Sequence, residues 1–96
     1  MCGIFGFAVK RPLAMAQVFR VLQKLEVSQY SGEPWPVGGY GAGVAVLLDD
    51  GGILSEKVGK TANSPASQLA EIMGTKLAEA AVLIGHVRFP SAEWSL

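Results

Sequence analysis

Four side chains in this sequence have the chemistry of a reactive or binding site: Cys2, His86, Arg88 and Ser91. Cys2 is the only cysteine and stands second, directly before an apolar run. Removal of Met1 would leave a thiol and a free α-amine on one residue. The thiolate is the attacking form of cysteine, and an α-amine titrating near pH ~8 accepts and returns a proton at neutral pH, so such a residue carries its own general base. A lone cysteine can equally be a small buried space-filler. Arg88 ends an apolar run, where its planar guanidinium could fork around a carboxylate or make a surface ion pair. His86, two residues earlier, falls on the same face of an extended strand, as a base or as a hydrogen-bonded structural histidine. Ser91, after Pro90, could hydrogen-bond a substrate or close the turn.

The surrounding pattern says which elements must hold these residues. Ile4–Val9 is short, apolar and rich in strand formers, so it reads as a buried strand with Cys2 at its tip, ended by Lys10-Arg11-Pro12. From Leu13 to about Glu26, Leu13, Val18, Leu22 and Leu25 recur at helical steps, and Gln17, Lys24 and Glu26 fall largely outside that stripe. The stretch from Ser28 to Tyr40 holds Gly32, Pro34, Pro36, Gly38 and Gly39 and reads as a loop. Its aromatics Tyr30, Trp35 and Tyr40 could line a pocket or pin the loop to the core.

Gly41–Leu48 reads as a second buried strand. Asp49-Asp50-Gly51-Gly52 is a turn signal that folds Ile53–Val58 back as a partly exposed hairpin partner. Ser64-Pro65 opens a second helix, Ser64 as cap and Pro65 in the first turn, expected to run to about Ala80. Gly74 weakens that helix or marks a close contact. Ala81–Arg88 is a third apolar strand, stopped by Pro90.

Half of the 96 residues are apolar and 17% are charged, with a formal net charge of zero. That suffices for a core, excludes a disordered chain and gives nothing that suits nucleic acid or an anionic membrane surface. The low charge leaves apolar surface for a partner, as in an oligomer, or for the missing part of a domain. One cysteine and one histidine make neither an internal disulfide nor a metal cluster, and no cofactor is called for. A reducing cytoplasm fits. The first apolar run lacks a basic start and is too short to span a bilayer.

Three blocks, in order, carry a resemblance. Met1-Cys2-Gly3-Ile4-Phe5-Gly6 resembles the start of class II glutamine amidotransferases, whose glutaminase domain uses an N-terminal nucleophile. Leu22–Glu26 with Tyr30-Ser31-Gly32 and Gly41–Val46 resembles the family's next helix, loop and strand. Gly85-His86-Val87-Arg88-Phe89 resembles its Gly-His-x-Arg-aromatic glutamine-holding motif. The resemblance implies an α+β fold, a sandwich of antiparallel sheets between helical layers. It implies that Met1 is removed and that Cys2 attacks the side-chain amide of glutamine. Ammonia would pass to an acceptor on another domain or subunit, and water would release glutamate. Arg88 would pair with the glutamine carboxylate, with His86 and Ser91 beside the substrate, Ser91 where the family often has threonine. The family's domain is about twice this length, against ordinary domain sizes. Residues 1–96 are therefore expected to be its N-terminal part, ahead of an Asn-Gly pair and an aspartate. The other expectation is a non-catalytic relative that binds glutamine or a partner chain.

Overall fold

The computed structural model describes residues 3–29, 31–32, 36 and 38–88. Six elements follow in the order β-α-β-β-α-β: β1 (Gly3–Ala14), α1 (Met15–Val27), β2 (Gly41–Leu47), β3 (Ile53–Gly59), α2 (Pro65–Gly74) and β4 (Glu79–Val87). The strands form one antiparallel sheet in the order β1-β4-β2-β3. The last strand therefore inserts between the first and second. The two helices pack on one face of the sheet, giving an α+β domain.

The helix-facing side of each strand is set by alternation. Phe5 and Phe7 of β1, Leu83, Gly85 and Val87 of β4, and Ala42, Val44 and Val46 of β2 meet the buried stripe Met15, Val18, Phe19 and Leu22 of α1. Leu69 and Met73 of α2 complete the core, fully buried with Leu22 and Leu83. Each such side chain contributes about 1.5–3 kcal/mol of hydrophobic transfer. Residues of the other parity lie on a face that no described element covers. Ile4, Ile84 and Ile53 stand there 69%, 56% and 72% exposed.

The elements depart from the sequence expectation in two places. β1 does not stop at Lys10-Arg11-Pro12 but continues to Ala14, and Leu13 belongs to it rather than to the helix. The residues between Ala8 and Leu13 stand against Ala81 alone, so the strand bulges there and resumes with Leu13 opposite Ala80. Proline is tolerated because β1 is an edge strand. The second departure is α2, which ends at Gly74 rather than near Ala80. The backbone N–H groups of Lys76 and Leu77 close onto the Met73 carbonyl, and Ala80 joins β4. Pairing with the end of β1 overrides the helical pattern there. A Cβ at Gly74 would meet nothing within 4 Å, so this glycine marks no close contact. The hairpin turn forms as expected, with Gly51 at φ 87° and the Asp50 side chain accepting from Gly52 N at 2.8 Å.

One residue off the apolar stripe of α1 is buried. Glu26, 4% exposed, turns its carboxylate onto the start of α2. It accepts from the Ser64 hydroxyl and, at 3.0 Å, from Ala66 N. Ser64 Oγ in turn accepts from Ser67 N at 3.1 Å, the expected cap. A negative charge among the free N–H groups at a helix start is favourable, and hydrogen bonds to a charged acceptor are strong ones. Glu26 thus locks the end of α1 to the start of α2. Replacing it with alanine strands the Ala66 N–H and the Ser64 hydroxyl. Glu26→Ala should cost about 1.5–3 kcal/mol of stability, read as a lowered denaturant midpoint with an unchanged m-value. A midpoint equal to that of the parent protein would show that the lock contributes nothing.

Candidate functional site

The chemistry-bearing residues of β4 lie at its C-terminal end, and the sheet register decides what faces them. Val87, fully buried, pairs with Gly3 on one side and with Ala42 on the other. Beyond it the ladder continues irregularly: Arg88 N donates to the Gly41 carbonyl at 2.9 Å, and Tyr40 N donates to the Arg88 carbonyl at 3.2 Å. The backbone of Arg88 is thereby held to the start of β2. The end of the long loop is docked at the same place. Gly38 N donates to the Glu26 carbonyl at 2.9 Å, and a Cβ at Gly38 would meet Glu26 Cα at 2.8 Å and Val87 Cβ at 2.9 Å. This glycine lets the loop come back to the sheet beside Arg88, which places Tyr40.

Arg88 and His86 share the face opposite the helices and line one cleft of about 460 Å³. Tyr40 closes one end, its ring covered by Lys60 Nζ at 4.4 Å from the centroid. Lys57 and Gly59 of β3 form the far wall, and Gly41 and Gly43 of β2 lie between the walls. Gly43 pairs with His86 on one side and Lys57 on the other. At about 4.8 Å per strand, the backbones of His86 and Lys57 are roughly 10 Å apart across it. No carboxylate lines this cleft among the described residues. The adjoining hollow, about 490 Å³, also touches Lys57 and His86 and reaches Ser55 and Glu56. The Glu56 carboxylate is engaged by the Lys76 ammonium. Among the described residues its charged lining is Arg88 and Lys57, with an apolar sheet face beside it, a lining that suits a small anion-bearing molecule.

The glycines of the site differ in what they require. A Cβ at Gly41 would come within 3.1 Å of the Val58 carbonyl oxygen and 3.5 Å of Arg88 Cβ, so a side chain there would be tight against the β3 backbone. At Gly85, on the helix side, the ring of Phe5 occupies the space, 2.6 Å from an added Cβ. At Gly43 the nearest atoms are 3.5 Å away, an ordinary contact, and at Gly59 nothing lies within 4 Å. Neither has a positive φ. Packing and backbone conformation therefore do not demand glycine at 43 or 59.

The site brings together Arg88 and His86 as the sequence suggested, and one of the three loop aromatics, Tyr40. Cys2 and Ser91 lie outside the described residues, as do Tyr30 and Trp35. Lys57, Gly43 and Gly59 were not singled out from sequence. The one signal for them was glycine inside strand patterns, which marks a close approach to something. Among the described residues no group of three or more His, Cys, Asp or Glu side chains could hold a metal ion, and no helix is long and apolar enough to cross a membrane. No family model, curated protein or solved structure matches this chain.

The glycine contrast is testable by stability alone. Gly43→Ala removes backbone freedom from the unfolded chain at a site with room, and should stabilise by about 0.5–1 kcal/mol. Gly85→Ala must displace the Phe5 ring and should destabilise by about 1–3 kcal/mol. Thermal melts of both variants check the pair. Destabilisation by Gly43→Ala would show that the fold itself needs that glycine.

Proposed function

We propose that this chain is the nucleophile-bearing part of a glutamine amidohydrolase of the class II amidotransferase type. The observation that carries the reading is the register of β1 against β4. Gly3 and Val87 are direct cross-strand partners. Cys2 is the chain neighbour of the first, and Arg88 of the second. Antiparallel partners have Cα atoms about 4.5–5.5 Å apart. A nucleophile and a carboxylate clamp so attached are within the span of one amino acid. The cleft beside Arg88 supports the same reading, as does the uncovered apolar face of the sheet, where the sandwich of this fold would stack its second sheet.

In this reading Met1 is removed and the α-amine of Cys2 takes the thiol proton. The sulfur then adds to the side-chain amide carbon of glutamine. The proton passes to the amide nitrogen, the C–N bond breaks, and ammonia leaves a thioester on Cys2. Water adds to the thioester carbon, the C–S bond breaks, and glutamate leaves with the thiol restored. Arg88 forks the α-carboxylate throughout, and His86 and Ser91 serve as further substrate-binding residues. Ammonia passes to an acceptor on another domain or subunit, in a cytoplasmic setting.

The exposed apolar face favours a second reading, a non-catalytic module that binds glutamine or a partner chain through that face. Catalysis separates the two. Cys2→Ala should abolish ammonia release from glutamine while the circular dichroism spectrum stays unchanged. Arg88→Lys, which keeps the charge and loses the fork, should raise the glutamine KM by about tenfold or more. Ammonia release retained in Cys2→Ala would rule out the nucleophile. Glutamine binding without turnover in the parent protein would leave the module.

A further inference from the structure

We propose that the sheet face opposite the helices is the surface on which two copies of this chain associate, related by a twofold axis that runs along the strands between β4 and β2. The amidohydrolase reading also places a second sheet on this face. Here that sheet is the same one in a second copy, and the inference needs no reactive Cys2. The register orders the face into rows. Ile4, His86, Gly43 and Lys57 stand side by side, and so do Gly6, Ile84, Ala45 and Ser55. In the third row Ala8 pairs with Val82, and Leu47 with Ile53.

Apart from His86, Lys57 and Ser55, these positions are apolar or glycine. Ile84 is on a strand paired at both edges, yet it is more than half exposed, with only Gly6 and Ala45 beside it. Burying such a side chain is favourable, and stacked sheets do so by interdigitating about 10 Å apart. The order of residues across each row suits the sheet to a copy of itself. Rotation about the proposed axis lays β1 over β3 and β4 over β2 of the second copy. Ile84 then stands over Ala45, His86 over Gly43 and Ile53 over Ala8, a larger side chain over a smaller one each time. Ile4 lies over Lys57, whose methylene stem can pack while its ammonium reaches the rim. Gly6 meets Ser55, and Val82 meets Leu47. An axis running across the strands would instead set Ile84 against Ile84 and leave Gly6 over Gly6.

Charge points to the same axis. At one end of the face the turn between β2 and β3 carries Asp49 and Asp50. At the same end, on the opposite side of the sheet, the bulge of β1 carries Lys10 and Arg11. All four residues are exposed, and the ion pair of Lys76 with Glu56 uses none of them. The rotation exchanges the two sides. The acidic turn of each copy therefore meets the basic bulge of the other, and the contact closes at two copies. Four strands about 4.8 Å apart and three rows about 6.8 Å apart give a footprint of roughly 400 Å² per copy. The two together, about 800 Å² with a charged rim, fall below the roughly 1,200–2,000 Å² of stable interfaces. The association is therefore weak and concentration-dependent.

Sedimentation of the full chain under reducing conditions, from micromolar to millimolar concentration, tests the proposal. The parent protein should pass from monomer to dimer in that range and go no further. Ile84→Lys should stay monomeric with an unchanged circular dichroism spectrum. Ala45→Ile sets a large side chain against Ile84 of the other copy and should weaken the dimer by about tenfold or more. Adding Ile84→Ala exchanges knob and hole and should restore it. The exchange conserves apolar content, so hydrophobicity alone does not explain a rescue. Asp49→Lys, set against Lys10 and Arg11, should weaken the dimer by about threefold. If Ile84→Lys does not fold, the Ala45→Ile series and Asp49→Lys still decide the matter. A monomer throughout, an open-ended assembly or a dimer that persists in Ile84→Lys would each overturn the proposal. So would a double variant no tighter than Ala45→Ile alone, or an Asp49→Lys dimer as tight as the parent's. Ammonia release from glutamine is read on the same samples. A monomer that releases ammonia would reject the dimer and leave the amidohydrolase reading standing. A dimer that releases none would uphold the interface and reject the nucleophile.

Discussion

Everything in this structure depends on the insertion of β4 between β1 and β2. Val87 sits at the point where the three strands meet, buried, with Gly3 on one side and Ala42 on the other. The pairing joins the two ends of the described chain and fixes which residues share a face. It sends Leu83, Gly85 and Val87 to the helices and leaves Ile84, His86 and Arg88 on the opposite side. A slip of one residue would exchange the two sets, burying a guanidinium and exposing the core. The hydrophobic core on one face thus enforces the cationic cleft on the other.

The helices serve that arrangement indirectly. Glu26 binds α1 to the start of α2 through Ser64 and Ala66, and its backbone carbonyl receives Gly38, the residue that brings the long loop back to the sheet. One buried carboxylate residue therefore connects the helix pair with the loop that delivers Tyr40 to the cleft. The backbone bonds from Arg88 to Gly41 and from Tyr40 to Arg88 then hold the cleft's end as an extension of the ladder. The site is built largely on strands, which places its side chains with the precision of a regular register.

Much of this is legible in the sequence where short-range chemistry decides. The apolar runs Ile4–Val9, Gly41–Leu48 and Ala81–Arg88 are strands, the Asp-Asp-Gly-Gly turn makes the hairpin, and Ser64-Pro65 starts a helix. Arg88 and His86, two residues apart, do face one cleft. What the sequence does not display is long-range. Lys10-Arg11-Pro12 looks like a strand end, and becomes a bulge because β4 continues to pair with Leu13 and Ala14 beyond it. Ala80 fits a helical face, yet pairs with Leu13. Glu26 looks like a solvated position because its partners, Ser64 and Ala66, are on another helix. Lys57 is an unremarkable charge in a polar strand until the register sets it across Gly43 from His86.

The central proposal is that Cys2 is a nucleophile for a glutamine-sized ligand. Intact mass spectrometry after incubation with an electrophilic glutamine analogue tests it most directly, since one spectrum reports both the state of Met1 and the number of adducts. The account predicts a chain lacking Met1 that carries a single adduct, blocked by excess glutamine. A chain that retains Met1 and takes up no analogue would contradict it.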